Sequence, residues 1–124
     1  MDNPIVDKSF EFAVKIVKLA RNIRDRKEYE LAKQILRCGT SIGANVAESQ
    51  RAQSHKDFLS KMYIAAKEAN ETEYWLMLLH RTKIIDDEEF YDAYNSLKEL
   101  IKILMAITKT SKRNISRNSP DSYN

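Results

Sequence analysis

Carboxylates, two histidines and one thiol are the groups in this chain that could do chemistry, and their spacing argues against most of it. Glu68, Glu71 and Glu73 share one stretch, the kind of acid cluster that holds paired iron ions in a helical bundle. That chemistry also needs Glu-x-x-His pairs on facing helices, and none accompanies them. His55 and His80 lie far apart and Cys38 is the single cysteine, so neither a zinc site nor an internal disulfide is expected. His80 falls near an apolar stripe and reads as a packed histidine rather than a base. Cys38 flanks another stripe and reads as a small hydrophobe. Asp86, Asp87, Glu88 and Glu89 read as partners of a helix dipole. The run GTSIG (39–43) lacks the Lys-Ser/Thr that completes a phosphate-binding loop. No catalytic residue, metal, cofactor or small-molecule substrate is therefore expected, and the chain is read as not an enzyme.

The cations are the other chemical feature. Overall the balance is mild, 21 basic against 18 acidic residues, but the distribution is uneven. Residues 1–27 hold seven basic and four acidic groups and residues 111–124 hold three and one, whereas residues 86–110 hold three and six. Lys15, Lys18, Arg21, Arg24, Arg26 and Lys27 near one end, and Lys109, Lys112, Arg113 and Arg117 near the other, are candidate phosphate contacts for structured RNA or DNA. Positions 18, 21 and 25 share a helical face, and Asp25 interrupts it, so a solvated helix edge stands as the competing reading. No basic motif interleaved with aromatics is evident for sequence-specific RNA reading.

These side chains must be positioned by helices. At 124 residues with two Gly and two Pro, the chain fits one domain and excludes a turn-rich β sandwich. Apolar residues recur at helical spacing over about 7–25, 30–52, 55–82 and 87–109. In the first segment Phe10, Ala13, Val14, Val17 and Ala20 make one stripe, and Phe12, Ile16, Leu19 and Ile23 make another beside it. The second carries Ala32, Ile35, Leu36, Gly39, Ile42, Gly43 and Val46. Ser54 then reads as an N-cap with Asp57 three residues on. The third segment places Phe58, Met62, Ala65, Ala69, Leu76 and Leu79 on one line, broken by Thr72. Asp86 or Asp87 caps the fourth, where Phe90, Ala93, Tyr94, Leu97, Leu100, Ile101, Leu104 and Ile107 form a continuous stripe. Short connections force neighbours antiparallel, so the fold class is all-α, an up-down-up-down four-helix bundle over residues 1–110. Residues 111–124 read as a disordered, basic polar tail. Apolar runs such as Ile103 to Ile107 are too short to cross a bilayer, and the opening MDNPIVDKSF lacks secretory features, so a cytoplasmic location is expected.

Three departures from local rules suggest contacts. Gly39 and Gly43, with Ala47, form a small-residue row inside the second helix, where each glycine costs about 1 kcal/mol relative to alanine. The preferred reading is a close helix crossing within the bundle; the alternative is a backbone kept clear for a partner or ligand. Ser41, Asn45 and Glu48 share one helix edge and read as a polar network tying the second and third helices, with an intersubunit contact as the alternative. On the third helix Ile64, Glu68, Glu71, Trp75 and Leu78 fall on one line opposite the core stripe. That line predicts a homo-oligomer interface anchored by Trp75, or else a helix buried on two sides.

The run Ser41-Ile42-Gly43-Ala44-Asn45-Val46-Ala47-Glu48-Ser49, followed by Arg51 and Phe58, resembles the signature of the bacterial four-helix-bundle family that includes the ribosomal-RNA intervening-sequence proteins. Tyr63-Ile64-Ala65 and Glu71 fall in the corresponding later positions, and the similarity extends from about residue 8 to 107. Ser49 stands where that family usually has Gly, and Lys67-Glu68 where it often has Gly-Ser. The resemblance implies an antiparallel four-helix protomer assembled as a ring of five, with no enzymatic activity. It further implies a link to insertions in large-subunit ribosomal RNA genes, and kinship with a retroelement accessory protein that binds nucleic acid and a reverse transcriptase. A nucleic-acid-associated oligomer is thus the leading functional reading, and a protein–protein adaptor the alternative.

Overall fold

The apolar stripes become four helices: α1 (Pro4–Asp25), α2 (Tyr29–Ser49), α3 (His55–Arg81) and α4 (Asp87–Asn118). The computed structural model describes residues 3–118, and side chains within residues 3–109. Each helix packs on its chain neighbours and α1 closes on α4, while the diagonal pairs stay apart. That is the antiparallel up-down-up-down arrangement. No strand occurs among the described residues.

Helix starts follow from local chemistry. Pro4 occupies the first turn of α1, where its fixed φ suits the helix and its missing N–H costs nothing, so α1 begins before residue 7. Ser54 Oγ accepts the Asp57 backbone N–H at 3.0 Å to open α3. Asp86 and Glu89 close a reciprocal box at α4: Glu89 N–H donates to Asp86 Oδ1 at 2.8 Å and Asp86 N–H to Glu89 Oε1 at 3.0 Å. The ends of α1 and α3 are alike. Lys27 (φ 67) and Lys83 (φ 63) take the left-handed conformation just past each helix. Around them Lys27 N–H reaches Arg24 O and Glu28 N–H reaches Ile23 O, matched by Lys83 to His80 and Ile84 to Leu79. This is the paired bonding that satisfies the last carbonyls of a helix, built on lysine where glycine is usual.

The core is continuous through all four helices, with Phe12, Ile16, Ile23, Ile35, Ile42, Met62, Leu76, Leu79, Ile85, Leu97, Leu100 and Leu104 almost wholly enclosed. Thr72, the break in the α3 stripe, is buried and donates to the Glu68 carbonyl at 2.7 Å, so its hydroxyl is satisfied within the helix. The two stripes of α1 part company. Phe12, Ile16, Leu19 and Ile23 face inward, whereas Phe10 is 69% exposed and Val14 and, on α2, Leu36 are also exposed. Phe10 and Phe12 stand about 200° apart on a helix, so only one could point at the bundle axis.

α4 runs to Asn118, past residue 110 where a tail is expected from the sequence. Nothing between Asp87 and Asn118 is Gly or Pro, and Pro120 is the first residue that must stop a helix. The remaining tail residues, 119–124, lie outside the described residues. With 32 residues against the 22 of α1, α4 is longer by about 15 Å.

Candidate nucleic-acid interface

The seam between α1 and α2 is set by glycine. A methyl group added at Gly39 would lie 2.8 Å from Cγ2 of Ile16, and one at Gly43 would lie 3.1 Å from the backbone oxygen of Ser9. The expected close crossing is therefore between α2 and α1, with two of the three small residues at it; Ala47, the third, is exposed. Toward the turn between the helices the small residues Ala20 and Ala32 leave space, and a groove of about 440 Å³ opens. Val17, Ala20, Ala32 and Leu36 supply its apolar surfaces, and Arg21, Arg24, Lys33 and Tyr29 its polar margin. The three cations are exposed and have no ion-pair partner among the described residues. No carboxylate lines the groove. Tyr29, 59% exposed, adds an aromatic face beside the three charges.

The other side of α1 differs. Lys15 donates to Asp92 Oδ1 at 3.0 Å and to Ser96 Oγ at 2.9 Å. Arg26 grips Glu89 with both terminal nitrogens, at 3.1 and 2.9 Å, and donates to the Ile84 carbonyl at 2.6 Å. Lys8 pairs with Glu99. Two of the six α1 candidates, Lys15 and Arg26, are thus held by α4. Lys18 lines a cleft that also contains Glu89 and Asp92. Lys27 is exposed at its left-handed turn. Arg21 and Arg24 alone meet no acid in their groove.

Lys109 is exposed far along α4. Because Lys15 meets Asp92, Lys109 stands about 25 Å further down that helix, so the two basic clusters do not form one patch within a protomer. Lys112, Arg113 and Arg117 belong to the backbone of α4, and their side chains lie outside the described ones.

The α3 line is largely occupied within the protomer. Ile64 is exposed; Glu68, Glu71, Trp75 and Leu78 are half-buried. Arg37 of α2 pairs with Glu71 and lies 3.5 Å from Glu68 Oε2, an enclosed oxygen with no hydrogen bond. Trp75 packs against the core and its Nε1 donates to Glu71 Oε2 at 3.1 Å. Arg37 carries no local sign of this role; it depends on the register of α2 against α3. Of the polar edge, Asn45 donates back to Ser41 O and Oγ at 2.9 and 3.1 Å, inside α2. Only Glu48 crosses to α3, reaching Lys61 at 3.7 Å. The network between helices 2 and 3 is narrower than its residue spacing implies, because an amide at i+4 finds its own helix first.

His80 stacks on Phe90 at 4.1 Å between ring centres and meets Asp87 at 2.7 Å. Cys38 is buried, and desolvation pushes its thiol pKa up, away from the reactive thiolate. Among the described residues no three His, Cys, Asp or Glu groups gather as a metal site, and no helix is long and apolar enough to cross a membrane.

Compared with known proteins, the chain matches over residues 1–106 the family model described as 23S rRNA-intervening sequence protein. It is also similar to a crystal structure from Bacteroides thetaiotaomicron VPI-5482, described as a protein with unknown function from the S23 ribosomal protein family. That chain is 52% identical, the match covers 85% of this chain and 98% of that one, and the TM-score is 0.82. No curated protein matches the chain.

Proposed function

This chain belongs to the 23S rRNA-intervening sequence protein family, and from that premise we propose that it is a non-enzymatic, self-associating protein of the cytoplasm that holds structured RNA through the groove between α1 and α2. One observation carries the reading. Arg21, Arg24 and Lys33 converge on an apolar groove that holds no carboxylate, with Tyr29 exposed beside them. Unpaired cations attract phosphate through released counterions, and an aromatic face next to them accepts an unstacked base. Self-association, as the ring of five that the family resemblance implies, repeats this modest patch and raises affinity by avidity. Ile64, Glu68, Glu71, Trp75 and Leu78 are its candidate interface, with Trp75 half-buried and Ile64 exposed.

Titration of a fluorescent structured RNA at two salt concentrations tests the proposal. The expected plot of log affinity against log salt has a slope of about −2 to −3 per protomer, for three neutralised phosphates. Binding that is absent at low salt, or indifferent to salt, overturns it. The adaptor reading is favoured by Phe10, 69% exposed beside exposed Val14, an apolar pair on the outer side of α1. An RNA-negative protein leaves that pair as the feature to explain.

A further inference from the structure

Helix α3 presents a crest along its whole length, at steps of four and three residues, in which every position is exposed. Lys56, Tyr63, Lys67, Asn70, Tyr74 and Arg81 lie on it. No carboxylate does. The acids further along the helix sit on its flanks and are engaged there, Glu68 and Glu71 with Arg37 of α2 and Glu73 with Lys98 of α4 at 3.2 Å. From Lys67 onward packing has sorted the charge of α3, negative toward its neighbours and positive toward solvent, whereas nearer its start Asp57 is exposed and Lys61 turns to Glu48 of α2. The two tyrosines are 45% and 59% exposed, about 16 Å apart along the axis, with Lys67 between them. Tyr74 is braced by an edge-to-face contact with Trp75, 5.2 Å between centres.

From this juxtaposition we infer that the crest of α3 is a second nucleic-acid site, one that takes an unpaired stretch of RNA, stacking bases on Tyr63 and Tyr74 and drawing phosphates to Lys56, Lys67 and Arg81. The inference rests on the proposal that the protein associates with RNA, and adds a location and a strand state to it. Flat aromatic faces spaced along a positive track suit single strands, because every exposed base has a surface to stack. A paired A-form helix offers such rings no unstacked base and hides its edges in a groove too narrow for side chains.

The test uses the full-length protein with two fluorescent probes, an oligouridylate and an RNA hairpin with a fully paired stem and a short, stacked loop, at low salt. Replacing Tyr63→Ala and Tyr74→Ala together is expected to weaken oligouridylate binding by about tenfold or more while changing hairpin affinity less than about twofold. Tyr63→Phe with Tyr74→Phe, which keeps both rings, should bind as the parent does. Both positions changed are at the surface, so circular dichroism should report unaltered helicity. Oligouridylate affinity untouched by the alanine pair, or equal loss on both probes, overturns the crest as a single-strand site. If Arg21→Ala with Arg24→Ala then abolishes hairpin binding, the groove proposal survives that loss. If the parent protein binds neither probe, both proposals fall.

Discussion

Helix α1 is joined to its two neighbours by different physics. Against α4 it packs less than against α2 and makes three ion pairs, from Lys8, Lys15 and, at its C-cap, Arg26. Against α2 it packs extensively, through Gly39 and Gly43, with no ion pair among the described residues. The same helix thus spends its cations structurally on one side and leaves them unpaired on the other. Lys15, Arg21 and Arg26 are all cations and close in sequence, yet only Arg21 lines a groove without carboxylates. Availability for a ligand is decided by what the neighbouring helix brings opposite, here Asp92 and Glu89 from α4 and Ala32 from α2.

The strongest way to break this comparison is at the packed seam. Ile16→Ala should cost about 2–5 kcal/mol, since Ile16 is fully buried opposite Gly39 and its removal leaves a cavity. Gly39→Val, which drives carbon into the same side chain, should cost about 1–3 kcal/mol or more from overpacking. Urea unfolding checks both, and a loss under about 0.5 kcal/mol for the pair would mean that the seam is not the close contact described. Next comes a contrast between cations. Arg26→Ala should lower stability by about 1 kcal/mol, less in high salt, with RNA affinity little changed. Arg21→Ala should do the reverse, leaving stability within about 0.5 kcal/mol and reducing the salt slope of RNA binding by roughly 1. Anisotropy and denaturation on the same two proteins decide it; equal behaviour erases the distinction between the two sides. The smallest effect lies at the turn the two sides share. Lys27→Gly should gain about 0.5–1 kcal/mol, because glycine holds a positive φ without the Cβ penalty.

Much of this bundle was legible one helix at a time. Ser54 and Asp86 announce helix starts by residue type, and Met62, Ala65, Leu76 and Leu79 announce the inner face of α3 by period. Gly39 and Gly43 signal close approach because glycine is costly in a helix interior, and Ile16 and Ser9 of α1 are what comes close. What sequence could not supply was register between helices. Phe10 and Phe12 head two equally apolar stripes, and only the placement of α2 and α4 decides that Phe12 turns inward. The α1 cations read as one basic set until α4 sets acids opposite Lys15 and Arg26. Arg37 escaped notice for the same reason, since Glu68 and Glu71 come from another helix. The crest of α3 was hidden differently. Tyr63, Lys67 and Tyr74 are ordinary residues until the flanking carboxylates are seen to be engaged elsewhere.

Cys38, the single thiol of the chain, is sealed at the centre of α2 with no accessible surface. A thiol so placed is mute toward alkylating reagents while the helices stay closed. Its rate of modification therefore times how often the bundle breathes open, a clock already built into the natural sequence.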